Sequence, residues 1–368
     1  IPIYHDKNKL SKIYTKRFKK INLKFNGDFI KDFDDFTQLF IQQAERLGCI
    51  PNGTSMNQPL RENFFSCLVC IRSHIPLLIC GKPGTSKTLS LTIVNAVLNL
   101  DANQKAGTMF ESSQKCIQFN YWGSVNTKAF DVERLFQRSI GKKNFHSDEL
   151  GNIFIKKEAK KSDKTKYKII VFDEIGLADV SPHNPLKVLN RILDTNNLPV
   201  SFIGLTNWNL SVSKMSRMVY VARPDMTDED LVTTANSILG VDSWRKELDI
   251  KPINSVEEMK LKAAVENFNL KTGLYEYLFS VMATSYSKLT QIENFSGCSN
   301  FHGSRDFYTL IKDFSQSSLE TITVVSDKSG TQTLEIQREE LLKLCLITIG
   351  RNFSGKELRQ ANSSELIQ

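Results

Sequence analysis

No stretch of these 368 residues holds the roughly 18–20 consecutive apolar side chains that a membrane-spanning helix requires. The opening residues, Ile1-Pro2-Ile3-Tyr4-His5-Asp6, are no charged segment leading into an apolar one, so no secretory signal is read there. Methionine does not come first, and the chain reads as a piece of something longer. Histidine is sparse: five residues, dispersed, form no cluster. The seven cysteines are an odd, scattered set whose one close pair, Cys67 and Cys70, lies in the apolar run NFFSCLVCIRSHIPLL. Without a second pair at zinc-finger or RING spacing, that pair reads as core packing. Free thiols of this kind suit a reducing, cytoplasmic setting. No repeat of about 20–50 residues is visible, which excludes a solenoid or propeller. Aromatics are missing from the two segments that concentrate the net charge of +8, Lys7–Lys24 and Lys156–Lys168. A base-stacking platform interleaves aromatics with cations, so these lysines read as solvated faces and nucleic acid is not the expected partner.

What remains is ordinary globular composition, 40% apolar and 24% charged, with length for two or three domains. One stretch organises the rest, IPLLICGKPGTSKT over 75–88. The apolar run Ile75–Cys80 breaks at Gly81 into a loop ending in Lys87-Thr88, and an amphipathic segment, Leu89–Leu100, follows. Strand, glycine loop, lysine-hydroxyl and helix are the parts of a phosphate-binding loop. Glycines let backbone N–H groups curl round phosphate oxygens. The expected nucleotide contacts are therefore Gly81, Pro83, Gly84, Thr85, Ser86, Lys87, Thr88 and Leu89. Lys87 would reach the β- and γ-phosphates of ATP, and the Thr88 hydroxyl would take a Mg²⁺ position. One departure stands out, because Ser86 occupies the place where the pattern wants glycine. If that residue must be left-handed, serine costs about 1–2 kcal/mol.

Apolar spacing predicts helices over 32–47, ended by Gly48, and over 60–72. Beyond the loop, strands are expected at 115–122, in KIIVFDEIG (168–176) ending at the carboxylates Asp173-Glu174, at 200–207 and at 218–222, with a short one near 152–156. Helices are expected at 127–140 and at 182–194, the latter with Pro182 in its first turn. From Asp228 onward helices dominate, and 322–336 reads as a hairpin turning at Asp327–Gly330. Alternation of buried strands with helices, followed by a helical run, gives a parallel α/β domain and then a mainly helical one. The corresponding boundaries are 1–54 for a connector and helix, 55–226 for the nucleotide-binding core, 227–355 for a helical lid and 356–368 for a linker.

Polar side chains at the carboxyl ends of those strands supply the chemistry, since ligands bind at that edge of open α/β sheets. Asp173, after IIVF, is placed to order the metal held by Thr88. Glu174 is suited to activate the attacking water as general base. Asn207, ending the next strand, would position that water against the γ-phosphate. Arg217 is a candidate finger reaching a neighbouring subunit's nucleotide, with Arg223 a weaker one, and Arg305 a clamp on the γ-phosphate of its own.

In order, Gly81–Thr88, IIVFDE, Asn207, Arg217 and Arg305 resemble the Walker A, Walker B, sensor 1, arginine finger and sensor 2 of an AAA+ ATPase. The blocks VFDEIGLADVSPHNPLKVLNRILD, FIGLTNWNLSVSKMSRMVYVARP, FHGSRDFYTLIK and IGRNFSG are similar to AAA+ modules of the mysterin family, giant RING-type E3 ubiquitin ligases with a dynein-like AAA+ row. That family resembles this chain in carrying serine before the loop lysine. The resemblance implies a P-loop NTPase core with a five-stranded parallel sheet and a helical lid. It also implies ATP and Mg²⁺ as ligands, neighbouring AAA+ modules as partners, and ubiquitin machinery reached through the parent protein. The implied activity is ATP hydrolysis that moves lid against core. An ATP-bound scaffold, a nucleic-acid-dependent motor and a dynein-type module are the alternatives.

Overall fold

In a computed structural model, the residues described are 29–51, 53–141, 145–147, 153–155, 166–195, 198–239, 274–295, 303–320, 322–326, 332–336 and 338–353. The basic segment 7–24, the hairpin turn 327–330 and the linker 356–368 lie outside them. The chain divides into two units.

The first unit takes in 59–80 and 87–222 together with the preceding helix. Its elements are α1 (Phe29–Arg46), α2 (Gln58–Ser73), β1 (Leu77–Cys80), α3 (Lys87–Asn99), α4 (Ala102–Lys105), β2 (Lys115–Trp122), α5 (Ala129–Ile140), β3 (Phe145–Ser147), β4 (Ile153–Ile155), β5 (Lys166–Asp173), α6 (Ile175–Asp179), α7 (Leu186–Leu193), β6 (Ser201–Thr206), α8 (Val212–Met215) and β7 (Val219–Ala222). Five of these strands form one sheet in the order β2-β5-β6-β1-β7, every pairing parallel. The central strands explain their composition. All four residues of β1 and all six of β6 are buried, as helix-covered parallel strands require. Leu78, Ile170, Phe172 and Phe202 of the sheet pack with Val132, Leu135 and Phe136 of α5 and with Leu189 and Ile192 of α7. On the opposite flank Phe65 meets Phe33, Phe36 and Phe40 edge-on, so α1 is packed into this unit.

Two local readings change. The helix expected from Pro182 begins only at Leu186, because Asn184 is left-handed, at φ +49°, and precedes a proline that disfavours helical geometry before it. The strand near 152–156 has a partner: β4 pairs antiparallel with β3.

The second unit contains α9 (Asp228–Leu239), α10 (Leu274–Phe295), α11 (Ser304–Glu320), β8 (Ile322–Ser326), β9 (Gln332–Ile336) and α12 (Arg338–Phe353), together with residues 51–58 and the loop 81–86. Its core is built from Leu231, Ala235, Phe279, Met282, Phe307, Ile311 and Phe314, all buried. Residues β8 and β9 pair antiparallel, as the hairpin reading expects. No helix among the described residues is long and apolar enough to cross a membrane.

Candidate functional site

Strand order sets the geometry of the first unit's candidate site. Because β6 runs between β1 and β5, the residue that follows β6 emerges between those that follow the other two. That residue is Asn207. The Lys87 side chain, in a residue only 9% exposed, donates from Nζ to Asn207 Oδ1 at 3.0 Å. Asn207 Nδ2 in turn donates to both Glu174 Oε1 and Oε2, each at 3.0 Å. The two ends of the amide have opposite hydrogen-bonding roles, so an ammonium on one side and a carboxylate on the other fix its orientation.

Glu174 is held by its backbone as well. It is left-handed, at φ +51°, and its N–H donates to Asp173 Oδ1 at 2.9 Å. Its carbonyl crowds Gly123, where any Cβ would stand 2.4 Å from Glu174 O. Gly123 also donates to the Asp173 carbonyl at 2.8 Å. Its position opposite the acidic pair becomes visible only with the β2–β5 register, which sets Trp122 beside Asp173.

A second glycine explains why DEIG and TNW belong together. A Cβ at Gly176 would lie 2.7 Å from both Thr206 Oγ1 and the Trp208 ring. Thr206 Oγ1 closes the turn by donating to the Trp208 carbonyl at 2.7 Å. The acidic pair and the Asn207 turn are thus packed on one another without room for a side chain between them.

Thr88 and Asp173 line a common cleft with Gln118, Asn120 and Trp122 of β2. Alternation along the strand puts these three β2 residues on one face, and Gln118 Nε2 donates to Asn120 Oδ1 at 2.6 Å. Neither amide was singled out from sequence, although polar residues at every second position of an edge strand are a readable signal. At the end of β1, Cys80 Sγ contacts Asn209 Oδ1 at 3.2 Å, and the Tyr220 hydroxyl donates to the same oxygen. Burial pushes the Cys80 thiol up, opposed by the Tyr220 hydrogen bond and the Lys87 charge.

Arg217 lies apart from these contacts. Its Nε reaches both carboxylate oxygens of Asp194 at 2.8 Å, and a terminal nitrogen donates to the Ser213 carbonyl at 2.7 Å.

Within the second unit, the loop Gly81–Ser86 meets α11. Gly84, at φ +91°, has Ser304 Cβ 2.8 Å from where its own Cβ would be, and its carbonyl accepts from the Tyr308 hydroxyl at 3.1 Å. Gly81 is closed off likewise, with Arg223 Cβ at 2.6 Å from its would-be Cβ. Lys82 pairs with Asp225 at 2.9 Å on the surface. Pro83 is exposed, as is Arg305 in the first turn of α11; Leu89 is half-buried. Ser86 has φ +57°, so the departure from glycine falls on a position that does need the left-handed backbone.

These residues fit Mg·ATP. Two positive-φ residues flanking Thr85 give the loop the concave backbone that anions occupy. A lysine and a hydroxyl follow directly, with an aspartate sharing the hydroxyl's cleft.

Comparison with known proteins agrees with the motifs. Residues 53–230 match the RNF213 AAA domain family. The zebrafish E3 ubiquitin-protein ligase rnf213-beta is 29% identical over 341 residues, covering 89% of this chain and 5% of that protein. Mouse and human E3 ubiquitin-protein ligase RNF213 are 27% and 26% identical over 85% and 90% of the chain, and the chain spans only 5% and 6% of their lengths. A solved structure of C. elegans PCH-2 aligns at TM-score 0.43 and 14% identity, over 82% of this chain and 70% of that one. Residues 53–230 thus match the AAA domain of RNF213-type proteins, in a chain that resembles one segment of those much longer proteins.

Proposed function

We propose that this chain binds Mg·ATP and hydrolyses it to ADP and phosphate, as one AAA+ module of an RNF213-type protein. The hydrogen-bonded path Lys87–Asn207–Glu174 carries this reading, because it joins a phosphate-binding cation to a candidate base through one neutral amide. Lys87 binds the β- and γ-phosphates, and the loop Gly81–Ser86 offers them its backbone N–H groups. Magnesium, when bound by Thr88 with Asp173 behind it, supplies charge neutralisation at the γ-phosphate. Glu174 accepts the proton of the attacking water. The water oxygen bonds to the γ-phosphorus as the β–γ bridging oxygen departs with ADP. Asn207 aligns that water, Arg305 contacts the γ-phosphate of this module, and Arg217 serves a neighbouring module's site after leaving Asp194.

Both Glu174 oxygens accept from the one Asn207 amide nitrogen, and each keeps a further lone pair for the proton of water. An arginine finger that has to come from another module gives tight binding and slow turnover in the separate chain. Calorimetry should register Mg-dependent ATP binding that disappears in Lys87→Ala. Glu174→Gln should bind ATP but no longer hydrolyse it. Absence of binding by the parent chain refutes the reading, and equal loss of binding and hydrolysis in Glu174→Gln removes Glu174 as the base.

The closed Lys87–Asn207–Glu174 path also suits a second reading, an ATP-bound scaffold with little hydrolysis; single-turnover hydrolysis in the complete parent protein separates the two. Partners in either case are neighbouring AAA+ modules and, through the parent, ubiquitin machinery in the cytoplasm.

A further inference from the structure

The contact between Tyr308 and Gly84 is a hydrogen bond to one particular peptide plane. The Gly84–Thr85 peptide is trans, so the Gly84 carbonyl and the Thr85 N–H point in opposite directions. With the carbonyl turned outward onto the phenol at 3.1 Å, the Thr85 N–H is turned into the loop. There its acceptor is the Lys82 carbonyl at 3.4 Å, longer than an ordinary N–H···O bond. A phosphate oxygen is a stronger, charged acceptor and would displace that contact. Ser304 of the same helix abuts Gly84 and leaves no room there for a side chain.

We infer that Tyr308 is a positioning residue for phosphate: its hydroxyl holds the Gly84–Thr85 peptide with the N–H presented to the β-phosphate of a nucleoside di- or triphosphate. The inference rests on the proposed nucleotide binding and adds to it a residue of α11 that touches no ligand itself. Burial raises the phenol above its usual range, with Tyr286 and Asp230 adding to the effect, so the hydroxyl keeps its proton. The Met226 thioether, 2.9 Å from the same hydroxyl, competes for that hydrogen but is the weaker acceptor.

The test uses the whole 368-residue chain and calorimetry with ADP, ATP and inorganic pyrophosphate. Tyr308→Phe keeps the ring and removes only the hydroxyl. Affinity should fall about five- to tenfold for all three ligands, the effect of one hydrogen bond, with the apo melting curve still cooperative. Met226→Leu, which leaves the phenol the carbonyl alone, should bind no more weakly than the parent. Unchanged affinity in Tyr308→Phe overturns the inference while leaving the proposed function standing. An equal loss in Met226→Leu also overturns it, since the phenol would then act through the sulfur. Failure of the parent chain to bind any of the three ligands removes the proposed function and this inference together.

Discussion

Ser86 provides the sharpest test of the loop geometry, because the cost of the residue can be worked out. At φ +57° a side chain is strained, by about 1–2 kcal/mol relative to right-handed backbone. Ser86→Gly removes that strain, but glycine also gains freedom in the unfolded chain, worth about 0.4–1 kcal/mol against folding. The serine hydroxyl makes no hydrogen bond with the described residues, so nothing else is lost. The net expectation is a stabilisation of about 0.5–1 kcal/mol, which in a domain of this size raises the melting temperature by about 1–4 °C. Ser86→Ala is the control, since it loses the hydroxyl but keeps the Cβ, and with it the strain. Differential scanning calorimetry of the apo chain, following the transition that ATP shifts, compares the three proteins. If Ser86→Gly melts no higher than Ser86→Ala, the left-handed backbone at 86 is wrong, and with it the concave shape assigned to the loop.

Gly123→Ala should destabilise the sheet unit by about 1–3 kcal/mol, because a Cβ 2.4 Å from the Glu174 carbonyl forces backbone to move; an unchanged melting temperature in that variant rules out the close approach. Cys67 and Cys70 should resist alkylation in the native protein at pH 8. Both are buried, and burial pushes the Cys70 thiol up to about 11, so thiolate is scarce there. Peptide mapping after brief iodoacetamide treatment checks this, and labelling at either position without unfolding contradicts a core role.

The sequence carried the central strands well because each is an apolar run bounded by glycine or a polar residue, and the alternating edge segment KCIQFNYW is found as a strand over the residues expected. Helix periodicity carried α1, α2 and α9 for the same reason. It failed at 182–185, where a left-handed asparagine before a proline outweighs an apolar spacing that looks helical. It also passed over α6 and α8, which at five and four residues are too short for a 3.6-residue period to register. Candidate site residues were legible where a motif concentrates them. Gly123, Gly176 and Tyr308 were not, because each matters only through a contact distant in sequence.

Strand order was the largest gap, and it determines how the candidate site works. Neighbouring strands lie about 4.8 Å apart, so with β6 between them β1 and β5 are separated by about 10 Å. Were β1 and β5 adjacent, Lys87 and Glu174 would stand close enough to pair directly. In the proposed reaction each would then neutralise the charge the other needs, the lysine for phosphate and the carboxylate for a proton. The inserted strand prevents this and fills the gap with Asn207, whose amide satisfies both groups while carrying no charge itself. A hydrogen bond to a charged group contributes about 1.5–3 kcal/mol, enough to hold both side chains in place yet small enough for phosphate and water to compete. The identity of residue 207 therefore follows from the topology: a carboxylate there would repel Glu174, a cation would repel Lys87, and an apolar side chain would leave both groups without a partner on that side.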